Sequence, residues 1–206
     1  FLLAASLLAV IGFQQLRTMG FRALKRSLGV GVVFAVAMSC WVMGIFTGTH
    51  VGEGAFLTSL GVVLVPVMGR LFFGEAQARS NWFALPVAAT GLALLSLQHG
   101  FSLEMGQIFY LTAAIIFALF FRLNTQAVNA RTVVASDGRE VHESGVPAIA
   151  LNSIVLAMVG VVAGILSLIF EQWLVAVQHF SSAMAGWIIA SAVVGTSARF
   201  LLQTYA

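Results

Sequence analysis

Leu28–Thr47 reads LGVGVVFAVAMSCWVMGIFT, an uncharged stretch of the length, about 20 residues, that a helix needs to cross a bilayer core. Arg17, Arg22, Lys25 and Arg26 stand before it, and the gap after it, around His50, holds no Lys or Arg. The same alternation runs along the whole chain. Arg70 and Arg79 follow the third apolar stretch, Arg122, Arg131 and Arg139 follow the fifth, and Arg199 lies near the end of the seventh, whereas the gaps around His99 and His179 hold none of the ten basic residues. Lys and Arg are retained on the cytoplasmic side of inner membranes, so the loaded junctions read as cytoplasmic. The gaps near Glu53, Glu104 and Glu171 then face outward.

Composition agrees. Apolar residues make up 60% of the chain and charged ones 8%, and the mean hydropathy is +1.02, which excludes an ordinary soluble domain. Seven apolar stretches are candidate spans: Phe1–Leu16, Leu28–Thr47, Ala55–Phe73, Trp82–Gln98, Gly106–Phe121, Ala148–Phe170 and Ala183–Ala206. The expected fold is all-α, a polytopic transmembrane helix bundle. The first span is short and has no basic leader, so it reads as a clipped span and not as a signal peptide, and the last ends without a polar tail. Both ends therefore read as cut. The net charge of +3 is spread by topology and lacks interleaved aromatics in polar loops, so no nucleic acid partner is expected. Cys40 is the one cysteine, which excludes an intramolecular disulfide.

Short gaps imply antiparallel neighbours in one bundle. The exception is Asn124–Val146, where Ser136-Asp137-Gly138-Arg139-Glu140 forms a polar turn. It divides the chain into 1–123, the linker 124–146 and 147–206. Gly44, Gly48 and Gly52 recur every four residues, as do Gly160 and Gly164. In lipid such spacing favours close helix approach within the bundle, or between copies in a homodimer. Pro66 and Pro86 fall inside spans, where each removes a backbone donor and can bend its helix.

Phe56–Glu75, FLTSLGVVLVPVMGRLFFGE, resembles the fourth helix of the EamA family of the drug/metabolite transporter superfamily: Phe56, Thr58 and Ser59 open it, Pro66 lies mid-helix and Gly74-Glu75 closes it. Trp82–Leu97 is similar to the fifth helix, and Gly195-Thr196 with Gln203-Thr204-Tyr205-Ala206 to the eighth. The family has ten helices in two inverted five-helix repeats, so the resemblance implies helices two through eight: a first repeat without its first helix plus the opening helix of the second in 1–123, and a partial second repeat in 147–206. It also implies a central cavity opened alternately to either side, and a small-molecule substrate.

No Asp or Glu lies near the middle of a span, so a mid-membrane carboxylate for ion coupling is missing from these stretches. Arg199 follows Gly186 by about 20 Å of helix, which places it inside the hydrocarbon. In an α-helix Gly195, Arg199 and Gln203 share one face, with Thr196 beside them. That face suits a carboxylate or phosphate, and the other reading is that Arg199 snorkels to the headgroups. Further cavity candidates are Ser39, Trp41 and Phe46 on the second span, Thr58 and Ser59 on the third, and Asn152 and Ser153 on the sixth. Hydroxyls often bond back to their own helix, whereas the Asn152 amide needs a partner in lipid. His50, His99 and His179 with Glu53, Glu104 and Glu171 fix at most two ligands per loop, so neither a metal nor a cofactor is expected.

The leading expectation is an inner-membrane permease or exporter of small organic metabolites such as amino acids, anionic or zwitterionic ones if Arg199 faces the cavity. An intramembrane enzyme is disfavoured, because Ser197 has no His in any span to activate it. The alternative is a non-transporting membrane sensor or scaffold acting through the linker.

Overall fold

A computed structural model describes residues 1–48, 51–74, 83, 86–87, 90–91, 94, 105–134, 140–171 and 180–200. Among the described residues the apolar stretches are helical: α1 (Leu2–Ile11), α2 (Phe13–Arg17), α3 (Phe21–Thr47), α4 (Val51–Phe73), α5 (Met105–Val128), α6 (Ala148–Phe170) and α7 (Ser182–Ala190), which runs on as a π-helical segment over Ser191–Ala198. A short antiparallel ribbon, β1 (Arg131–Val134) with β2 (Glu140–Glu143), lies in the linker and pairs Arg131 with Glu143 and Val134 with Glu140. The linker is thus a ribbon as well as a polar turn; residues 135–139 of that turn lie outside the described residues.

Among the described residues α3, α5 and α6 are long and apolar enough to cross a membrane, which marks the chain as a membrane protein. At 1.5 Å per residue they reach about 35–40 Å, more than a hydrocarbon core of roughly 30 Å. A fourth span is α4, if its two halves, Gly54–Gly61 and Val63–Phe72, count as one; they are bent by 41°. Pro66 lies inside this helix. Its ring crowds the carbonyl four residues back, and it has no N–H to offer it, so the bend falls at residue 62. Leu2–Ile11 and Ser182–Ala198 are shorter apolar helices, and the expected span Trp82–Gln98 lies largely outside the described residues.

The described chain forms two compact units, Phe1–Ala35 with Thr125–Ala206, and Val36–Asn124. In the first, α1 lies along α6 in the opposite direction. Ile149 fills the space where a Cβ on Gly12 would stand, Ser153 Oγ donates to the Ala5 carbonyl at 3.1 Å, and Leu2 packs on Gly160. α1 ends at Gly12, whose φ of −94° and ψ of 18° leave the helical range before α2 begins. α3 runs the same way as α6. Arg26 donates to the Gln126 carbonyl, the Val146 N–H donates to the Ala127 carbonyl at 2.8 Å, and Gly145 is pressed onto the Val128 carbonyl, so α3 and α6 start at the end where α5 finishes. Farther along, Gly31 lets α3 approach Val155 and Met158.

In the second unit α3 opposes α5, with Gly44 beside Tyr110 and Gly48 against Gly106, while α4 runs with α5, with Gly54 beside Tyr110 and Gly61 against the Ala114 carbonyl. These directions are the ones that alternating basic junctions require. The Tyr110 ring occupies a slot that Gly44, Gly48 and Gly54 leave open; it is 2% exposed and its hydroxyl has no hydrogen-bond partner. A buried hydroxyl without a partner costs about 1–3 kcal/mol. Tyr110→Phe is therefore expected to raise thermal stability in detergent, and a lower melting temperature would show that the hydroxyl is bonded.

Candidate functional site

Among the described residues, most hydroxyl side chains in the spans are bonded to their own helix. Thr58 Oγ1 donates to the Gly54 carbonyl at 2.7 Å, and Ser59 Oγ to the Phe56 carbonyl at 2.7 Å. Thr112 does the same toward Ile108 at 2.8 Å. Such back-bonding satisfies the hydroxyl at little cost, and it leaves only lone pairs for a ligand. Trp41 is half-buried in α3. Thr58, Ser59 and Trp41 belong to the second unit, as do Ser39 and Phe46.

The remaining candidates belong to the first. Arg199 is exposed, at the end of the π-helical segment, and Thr196 is half-buried with its hydroxyl donated to the Ser191 carbonyl at 3.2 Å. Ser197 bonds back to Ala192 in the same five-residue pattern, at 2.8 Å. The hydrogen bonds of a π-helix span five residues; Gly195 lies within this segment and Arg199 caps its end. Phe200, next to Arg199, meets Phe34 edge to face at 6.4 Å. Phe34 lies eight positions beyond Arg26, about 12 Å along α3. Gln203 lies outside the described residues, as do His50, His99, His179, Glu75 and Glu104. Among the described residues no three His, Cys, Asp or Glu side chains gather.

Asn152 stands apart. It is 5% exposed, on α6, and its Oδ1 has no hydrogen-bond partner. Successive α6 residues advance by about 100°. Ile149, Ser153 and Gly160, which meet α1, form one stripe; Val155 and Met158, which meet α3, form another. Asn152 falls in the arc between the stripes, with Leu156 and Val159, and all three are buried. The amide therefore points into the wedge between α1 and α3. Ser27 of α3 is also fully buried, its hydroxyl donated to the Ala23 carbonyl at 2.9 Å. Ser27 is one turn before Gly31, and Asn152 one turn before Val155, which Gly31 touches. Because α3 and α6 run in the same direction, Ser27 and Asn152 occupy one layer of the unit. Ser27 was not among the residues singled out from the sequence, where nothing but its place beside Arg26 distinguished it.

A separate recess of about 290 Å³ opens between α1 and the π-helical segment, lined by Leu3, Leu7, Val10, Ile189 and Val193. Its polar member, Ser6, is tied to the Leu3 carbonyl at 2.8 Å. It offers nothing to orient a polar ligand.

The class that these elements define is a helical membrane protein with a buried polar layer. No family model matches the chain, and no curated protein or solved structure matches it.

Proposed function

We propose that the protein is an inner-membrane carrier of small organic metabolites such as amino acids, working by alternating access through a central cavity between two inverted repeats of the EamA type. The observation that carries this reading is the Asn152 amide oxygen, buried without a partner between α1, α3 and α6. Within spans, polar groups are costly and are retained where they serve a pathway. The resemblance of Phe56–Glu75 to the family's fourth helix supports it, and the 41° bend of α4 supplies an element on which helices can rock.

The linker favours a second reading, a sensor or scaffold. Its ribbon is clamped at the base by the Val146 to Ala127 bond and the close approach of Gly145 to Val128, so it presents a fixed edge. One experiment separates the two. In liposomes holding the full-length protein, counterflow of labelled amino acids and related metabolites is expected to saturate, and to persist when residues 131–143 are replaced by a short Gly-Ser turn. Absence of exchange for every compound, with binding of a partner lost on that replacement, would establish the scaffold instead.

A further inference from the structure

We infer that the layer formed by Asn152, Ser27 and Ser153 is a subsite for a primary ammonium group. The three side chains are buried, and acceptors predominate among them. The Ser27 proton is committed to the Ala23 carbonyl and the Ser153 proton to the Ala5 carbonyl, so each hydroxyl has lone pairs alone to offer. Asn152 adds an amide oxygen with no donor on it. Three acceptor oxygens, two of them on hydroxyls whose protons are spent, recognise a donor. A carboxylate or phosphate would find donors only on the Asn152 amide nitrogen and no positive charge, whereas an ammonium carries three N–H donors for the three oxygens and a positive charge that carbonyl and hydroxyl dipoles favour.

The location suits recognition inside the bilayer. Asn152 lies one turn from the crossing of α3 and α6 at Gly31 and Val155, and no Asp, Glu, Lys or Arg occurs on α6. A neutral acceptor set lets an amine be held and released, where a buried carboxylate would bind it too firmly to let it go. The layer is closed in this structure, since the Asn152 oxygen is shielded from contact. Its ligand enters when α1 or α3 parts from α6, and the unpaired oxygen then gains a partner that the closed state denies it. That an amine is also the transported group rests on the carrier reading above; that an amine binds here does not.

The test is thermal unfolding of the full-length protein in nanodiscs. Ethylammonium chloride is expected to raise the melting temperature by several degrees, with ethanol and sodium acetate at equal concentration without effect. Asn152→Leu should abolish the shift, and Asn152→Asp, which adds a charge to the same layer, should strengthen ethylammonium binding on the order of tenfold. The inference is overturned if ethylammonium gives no shift, if Asn152→Leu responds as the native protein does, or if sodium chloride against choline chloride reproduces the Asn152-dependent shift while ethylammonium does not, which would make the layer a bare cation site. Ammonium binding without counterflow of any compound would sink the carrier reading alone. Counterflow without ammonium binding would sink this one alone.

Discussion

Gly106→Ala is expected to be among the most destabilising single-methyl changes in the chain. A Cβ on Gly106 would fall onto the Gly48 backbone, with the Gly48 nitrogen 2.7 Å away and the Gly44 carbonyl at 3.1 Å. No rotamer can relieve a clash with main chain, so α3 and α5 must separate. Overpacking of this kind costs about 1–3 kcal/mol, and a main-chain clash belongs at the upper end. Gly52→Ala and Gly164→Ala are the controls. Both positions belong to the glycine series visible in the sequence, and both face open space, with no atom within 4 Å of the added carbon. There the change is expected to be neutral or to gain up to about 1 kcal/mol from helix propensity and a stiffer unfolded chain. Unfolding in mixed micelles measures all three. Equal losses at Gly52 and Gly106 would mean that the close approach of α3 and α5 is misplaced.

Asn152→Leu is expected to move stability and transport in opposite directions. Leucine is close to asparagine in shape and suits the buried wedge between α1 and α3. It also removes an oxygen that has no partner, a gain of about 1–3 kcal/mol. Counterflow should fall by roughly tenfold or more, because a substrate hydrogen bond to a buried group is worth upward of 1.4 kcal/mol, or tenfold. A structural asparagine would behave otherwise: its loss would lower stability, and flux would follow the amount of folded protein. Higher stability with undiminished flux would remove Asn152 from the pathway.

Much of the helical architecture was legible in the residues. A stretch such as Leu28–Thr47 has no charge to satisfy and pairs its backbone groups within itself, so its helix needs no knowledge of its neighbours. The bend of α4 was legible in Pro66 for the same reason. Asn152 stood out because an amide among apolar residues is in debt wherever the helix packs. The glycines were legible only in part. Gly44, Gly48 and Gly160 are close contacts as their spacing suggests, but Gly52 and Gly164 are open, and Gly54, outside the series, shares the Tyr110 slot instead. The Arg199 face was drawn on α-helical spacing, and nothing in the residues signalled the π-helical segment over Ser191–Ala198.

Sequence alone determined which of the described stretches are helical and where their basic ends lie, because helix hydrogen bonds close within four residues and the cost of moving Arg or Lys through lipid depends on the junction itself. Tertiary structure alone decided which glycines are touched, that Ser27 shares a layer with Asn152, and that the Tyr110 hydroxyl and the Asn152 oxygen are left without partners. Each of these depends on atoms that packing brings from far along the chain: Tyr110 to Gly44, Val155 to Gly31, Ala5 to Ser153. A residue's own identity carries no record of what will face it.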